Sequence, residues 1–177
     1  IKFKIQTVVK KNLVLLGMMG VGKSTLGKIV AKKQGLKFID TDLNIEKKFS
    51  MSISDIFKKK GEDFFRQEEE IEVSEMLKKS NCVIALGGGA FLIKNVRDQI
   101  LKQSISIWID VNLKILHQRT KWSKKRPLLD GQNNQTTINK LYIKRKKIYK
   151  LAKYRINCDG LSKGGIVKKI IDFYEKQ

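Results

Sequence analysis

The chain is poor in the residues that punctuate or brace a fold. It carries one proline, Pro127, and one histidine, His117, in 177 residues. Its two cysteines, Cys82 and Cys158, stand far apart, each beside an apolar run. That spacing excludes a disulfide scaffold and a Cys/His metal site, and predicts two buried free thiols in a reducing, cytoplasmic setting. No apolar run approaches the roughly 20 residues of a bilayer span, so no membrane association is expected. The opening Ile1-Lys2-Phe3-Lys4-Ile5 is too short and too polar to read as a secretory signal.

Acidic residues are also scarce, with 17 against 38 basic ones and a net charge of +21. Such an excess fits either a nucleic-acid partner or a Lys-rich enzyme with small anionic ligands. The lysines decide for the second. They fall as scattered pairs such as Lys32-Lys33, Lys47-Lys48 and Lys146-Lys147, with no basic tail and no interleaved aromatic platform. No specific nucleic acid is expected, and the chain reads as a monomer acting on small molecules. Arginine is scarcer still: 6 of the 38 basic residues are Arg and the other 32 are Lys. Where lysine is the default cation, an arginine marks a place for a planar, bidentate fork. The six are Arg66, Arg97, Arg119, Arg126, Arg145 and Arg155.

With 41% hydrophobic residues, the chain has enough apolar content for one domain with a proper core, spanning residues 1–177. Its clearest feature is Gly17-Met18-Met19-Gly20-Val21-Gly22-Lys23-Ser24, a G-x-x-x-x-G-K-[ST] phosphate loop. The loop follows the apolar run Leu13-Val14-Leu15-Leu16 and opens a helical stretch, as the motif requires. Its glycines let backbone N–H groups curl around phosphate oxygens, and the helix N-terminus adds partial positive charge. Gly20, Val21, Gly22, Lys23, Ser24 and Thr25 are therefore the expected triphosphate contacts, with Ser24 on Mg²⁺.

Strands and helices alternate along the rest of the chain. Strands are expected at residues 12–16, 37–40, 82–86, 105–109 and 155–158, and helices at 23–34, 43–49, 53–60, 62–79, 95–102, 113–119, 137–152 and 162–174. The alternation predicts an α/β domain on a parallel sheet, with ligands beyond the carboxyl ends of the strands. Those ends carry the phosphate loop, Asp40-Thr41-Asp42, Gly87-Gly88-Gly89 and Asp110. Two carboxylates at Asp40 and Asp42 suit a phosphoryl-transfer site, one for the outer shell of a metal and one for an acceptor hydroxyl. The competing reading of Asp42 is a plain helix cap. Three glycines exceed what a turn needs and imply a close backbone approach, with N–H groups free for a ligand.

Arg66, in Phe64-Phe65-Arg66-Gln67-Glu68-Glu69, need not follow Phe65 into the core, and Arg145 stands out among Lys144, Lys146 and Lys147. The polar, aperiodic stretch at about 120–136 holds Arg126-Pro127 and reads as a lid, with Arg126 placed to neutralise a transferring phosphoryl group. Arg119, at its base, is a candidate for the nucleotide. Arg97, Arg155 and His117 read as surface residues, and Trp108 as core.

Taken together, these pieces resemble the shikimate kinase family. The resemblance rests on the phosphate loop, Phe38-Ile39-Asp40-Thr41-Asp42, Ile53-Ser54-Asp55-Ile56-Phe57, Gly61-Glu62-x-x-Phe65-Arg66-x-x-Glu69, Gly87-Gly88-Gly89-Ala90, Arg126-Pro127-Leu128-Leu129 and Arg145-x-x-x-Tyr149, in the family's order and spacing. It implies transfer of a phosphoryl group from ATP to the 3-hydroxyl of shikimate, with Mg²⁺, on a nucleoside-monophosphate-kinase-like sheet of order 2-3-1-4-5. By position it implies that Asp42 holds the acceptor hydroxyls and acts as base. Arg66 and Arg145 would clamp the carboxylate, and the Gly88 and Gly89 amides would contact the ring. Lys23 and Arg126 would stabilise the phosphoryl group, and Ser24 would hold Mg²⁺, with Asp40 in its outer shell. Helices at about 42–79 would bind the acceptor, with Phe57 and Phe65 walling its ring and Glu69 orienting the arginines. One departure is Asp159-Gly160-Leu161-Ser162 after the last strand, which lacks the Arg or Gln often found there. Two other readings remain: a kinase for another polyol acid such as gluconate, and a basic phosphate-loop protein acting on nucleic acid.

Overall fold

The computed structural model describes residues 10–120 and 134–176. Its centre is a five-stranded, all-parallel sheet, β1 (Asn12–Leu16), β2 (Lys37–Asp40), β3 (Cys82–Ala85), β4 (Ser104–Asp110) and β5 (Tyr154–Asn157), in the order β2-β3-β1-β4-β5. β1, β3 and β4 are buried along their whole length, as expected for parallel strands covered on both faces. The buried Asn12 at the start of β1 is satisfied. Asn12 donates to the Lys79 carbonyl at 2.7 Å and accepts from the Cys82 N–H at 3.0 Å, fixing the register Leu13↔Val83.

The helices are α1 (Lys23–Gln34), α2 (Thr41–Phe49), α3 (Ile53–Lys60), α4 (Glu62–Leu77), α5 (Lys94–Gln103), α6 (Leu113–Thr120), α7 (Asn134–Tyr149) and α8 (Lys163–Glu175), with a 3₁₀ turn at Ala90–Leu92. Helix α3 starts as the sequence predicts, since the Ser52 hydroxyl accepts from the Asp55 N–H at 3.1 Å. For α2 the capping residue differs from the competing reading of Asp42. Asp40 is the cap, taking the Leu43 N–H at 3.2 Å, which leaves Asp42 inside the first turn.

α6 runs to Thr120 and α7 begins at Asn134, three residues before its expected start, and the segment expected as a lid at about 120–136 lies mostly outside the described residues. The sequence gives that segment no apolar period, and α7 opens with polar residues that hide its start. The buried stripe of α4 is Phe65, Glu69, Val73 and Leu77, and Ile71 is half exposed. That stripe has a four-residue period with a carboxylate in it, which hydrophobicity alone does not mark.

The core has two parts. The larger surrounds the sheet. The smaller joins α2, α3 and α4 through Ile45, Ile56 and Phe65, flanked by Phe49, Phe57 and Phe64. Each of those buried side chains contributes roughly 1.5–3 kcal/mol, enough to hold three helices together but not to fold them alone. Thr41 ties this unit to the sheet. Its buried hydroxyl donates to the Ala85 carbonyl at 3.3 Å and accepts from the Gly87 N–H at 3.1 Å.

Candidate active site

Beyond the carboxyl ends of β1 and β3 lies a cavity of about 400 Å³, lined by the phosphate loop, Asp40, Asp42, Leu43, Leu86 and Gly88. The loop has the backbone its glycines allow. Gly20 has φ 80° and Gly22 φ 98°, a region costly for other residues. Gly22 also caps α1 without a side chain, and the first turn holds no acidic residue, so its N–H groups stay available to an anion. Val21 is buried, so it offers the ligand its backbone and not its side chain. Thr25 lines the mouth. The Lys23 ammonium donates to the Gly17 and Met18 carbonyls at 2.9 and 3.0 Å, curled back over its own loop. Arg119 leans on the same loop from outside, donating to the Gly20 and Val21 carbonyls at 3.3 and 3.4 Å.

The Ser24 hydroxyl donates to Asp40 Oδ2 at 2.5 Å. A hydroxyl and a carboxylate at the mouth of a phosphate-binding cavity are hard oxygen donors of the kind Mg²⁺ takes. Among the described residues no cluster of three or more acidic, His or Cys side chains forms a dedicated metal cage.

The acceptor side converges on the three glycines. None of them has positive φ, so conformation is not what they supply. They supply missing Cβ atoms. A Cβ on Gly87 would collide with Asp42 Oδ1 and Glu69 Oε1. One on Gly88 would meet Arg145 Nη1 at 3.0 Å, and one on Gly89 would overlap the Arg66 guanidinium. Each glycine therefore seats one functional side chain, a close approach by protein rather than by ligand alone.

Charge in this cluster is unbalanced. Arg66 donates to Glu69 at 2.6 Å and to Glu62 at 3.0 Å. Burial works against its charge, but these carboxylates more than offset that and raise its pKa. Glu69 is buried, which pushes its carboxyl up against the opposing pull of Arg66 and Arg145. Asp42 is pushed up to about 7, by burial first and by the Glu69 charge second, with Lys23 opposing. Asp42 Oδ1, Glu69 Oε1 and Arg145 Nη1 are buried with no hydrogen-bond partner in the protein. Two carboxylate oxygens and one guanidinium nitrogen thus stand unpaired beneath Gly87 and Gly88, next to the cavity that Asp42 and Gly88 line.

The structure thus brings together Gly20, Gly22, Lys23, Ser24, Thr25, Asp40, Asp42, Arg66, Gly88, Gly89 and Arg145. Phe57 and Phe65 stand beside Arg66, with ring centroids 5.8 and 5.3 Å from its guanidinium carbon. Arg126 and Pro127 lie outside the described residues. Of the two arginines read as surface, Arg155 is exposed and Arg97 is half-buried, and both have partners. Arg155 donates to Asp110 through Nε at 3.0 Å and Nη2 at 2.6 Å and lies over the Trp108 ring. Arg97 caps the 3₁₀ turn through the Phe91 and Leu92 carbonyls. His117 Nε2 is 3.0 Å from Asn139 Oδ1, a contact that joins α6 to α7. Sequence reasoning missed the separate parts of Gly87 and Thr41, because a glycine in a run and a threonine between two aspartates carry no signal of their own.

Comparison with known proteins agrees with this geometry. A family profile described as shikimate kinase matches residues 19–175. The shikimate kinase of Sulfurihydrogenibium sp. (strain YO3AOP1) is 39% identical over 161 residues, covering 91% of this chain and 96% of that protein. That of Bartonella quintana (strain Toulouse) is 41% identical over 162 residues, covering 92% and 77%. Among solved structures, the shikimate kinase from Acinetobacter baumannii in complex with shikimate aligns with a TM-score of 0.90 at 31% identity, covering 94% of each chain.

Proposed function

The chain belongs to the shikimate kinase family, whose reaction is ATP-dependent phosphorylation of the shikimate 3-hydroxyl, and from that premise we propose how its residues divide the work. The phosphate loop holds ATP through the N–H groups of Gly20 to Thr25, with Arg119 on the nucleotide side. Shikimate sits over the three glycines. Arg66 and Arg145 take its carboxylate, the Gly88 and Gly89 amides meet its ring substituents, and Asp42 accepts from its hydroxyls. As the 3-hydroxyl oxygen bonds to the γ-phosphorus, its proton passes to the Asp42 carboxylate and the bond to the β,γ-bridging oxygen breaks, releasing ADP. Lys23 leaves the Gly17 and Met18 carbonyls for the phosphate oxygens. Arg126, on its sequence motif alone, supplies the second cation.

Mg²⁺ would be held by Ser24, with Asp40 in its outer shell, and bound there it would neutralise charge developing on the β- and γ-oxygens. Residues 1–177 act as one domain, residues 42–79 bind the acceptor and the enzyme is a monomer. Buried free Cys82 and Cys158 support a reducing, cytoplasmic setting. No helix among the described residues is long and apolar enough to cross a membrane.

The observation that carries this reading is the open donor–acceptor set of Asp42, Glu69 and Arg145 around glycines that seat them. ADP release measured with a panel of hydroxy acids tests it. Shikimate is expected to be preferred by orders of magnitude, and a preference for gluconate would overturn the assignment of the acceptor.

A further inference from the structure

A Gly-Gly peptide is a poor place to aim a hydrogen bond. With no Cβ on either side, the plane between Gly88 and Gly89 rotates at little cost, so something outside the loop must fix it. Tyr149, at the end of α7, meets that need. Its hydroxyl donates to the Gly88 carbonyl at 2.5 Å. The side chain is buried and its ring packs beside Trp108 of β4 at 5.9 Å between centroids, so its aim is set by the sheet. Burial pushes the phenol up to about 12, with Arg145 the leading opposing influence, so it stays protonated as a donor.

We propose that Tyr149 is a positioning residue for the acceptor, locking the Gly88–Gly89 peptide so that the Gly89 N–H faces the acceptor pocket. The peptide is trans and planar, so holding the Gly88 carbonyl toward Tyr149 turns the Gly89 N–H the opposite way. Among the described residues neither the Gly88 nor the Gly89 N–H has a protein acceptor, and Gly88 lines the cavity. The same peptide carries the surfaces on which Arg145 and Arg66 lie, so a flip would disturb both guanidinium seats at once. On the other side of the loop, Thr41 holds the Gly87 N–H. The platform is therefore pinned at two points, and Tyr149 is the one next to the ligand-facing amides. Tyr149 itself does not line the cavity, so it acts through the peptide.

This rests on the acceptor reading proposed above, and the experiment separates the two. Steady-state kinetics of the wild-type chain and Tyr149→Phe are compared with shikimate and ATP each varied, alongside a thermal melt. Loss of the hydroxyl is expected to raise the shikimate KM about tenfold, with the ATP KM and kcat within about twofold. An unchanged shikimate KM in a folded variant overturns the inference, and so does an equal rise in both KM values. Amide NMR of the wild-type chain gives a readout that needs no variant. Shikimate alone should shift the Gly89 N–H resonance, and a resonance that does not move refutes the locked amide. Wild-type protein that phosphorylates no shikimate would instead bring down the proposed function.

Discussion

At the scale of single residues, the site is built from groups held away from their comfortable state. Asp42 is the clearest, its carboxyl pushed up from 3.8 to about 7 by burial and by Glu69. The kcat/KM for shikimate should therefore rise about tenfold per pH unit below 7 and flatten above it, because the base must be ionised in the free enzyme. Stability runs the other way. A raised carboxyl keeps its proton in the folded chain where the unfolded chain has lost it. The contribution is full below 3.8 and is lost as pH climbs through about 7. Asp42→Asn should remove that decline, melting higher than wild type at pH 8 by roughly 2–4 °C for each kcal/mol recovered, while turnover collapses. A variant that melts lower than wild type at pH 8 would mean Asp42 is paired, not strained. Gly87 makes the same point without charge. Gly87→Ala places a methyl group where Asp42 and Glu69 oxygens meet. It should cut kcat by about 10²-fold, a displacement of order 1 Å at the base. Kinetics close to wild type would show that both carboxylates can give way.

At the scale of elements, α4 is the instructive one. Its buried stripe of Phe65, Glu69, Val73 and Leu77 turns Arg66 sideways, off the core and onto Gly89. The burial of Glu69 in that stripe carries no hydrophobic signal, whereas the existence and length of the helix were plain. Legibility followed a similar rule elsewhere. The phosphate loop and the alternation of strands and helices are local patterns, whereas the strand order came only with the family resemblance. The seating of Arg145 on Gly88 joins positions far apart in the chain, and no local period encodes it. Arginine scarcity was a partial substitute, since it singled out Arg66 and Arg145, the two whose guanidinium groups lie against Gly89 and Gly88. For Arg66 the planar fork matters: it engages two glutamates and retains a face for the ligand. Arg66→Lys should raise the shikimate KM by 10-fold or more and leave the ATP KM within twofold, because an ammonium cannot bridge two carboxylates and a third. Equal losses for both substrates would assign Arg66 to the fold rather than to the acceptor.

At the scale of the whole molecule, the +21 net charge sets two quantities against each other. Both substrates are anions, and a positive surface draws them in over a distance set by the screening length. The same charge repels itself in the compact state. Seven of the 17 acidic residues lie on one helix, α4, so the rest of the molecule carries an even larger excess of positive charge. Raising the ionic strength with KCl from 0.01 to 0.1 M shortens the Debye length from about 30 to about 10 Å. Self-repulsion then weakens, so the melting temperature should rise. Attraction of ATP and shikimate weakens too, so kcat/KM for each should fall several-fold while kcat, measured at saturation, holds. The two trends have opposite signs because one charge distribution produces both. Sulfate or phosphate in place of chloride would confuse them by occupying the phosphate loop, so the salt must be a weak ligand. If the melting temperature were flat while kcat/KM fell, the steering charge would be local to the site, in Lys23 and its arginines. If both were flat, the lysine excess would be a feature of composition without mechanical or kinetic consequence.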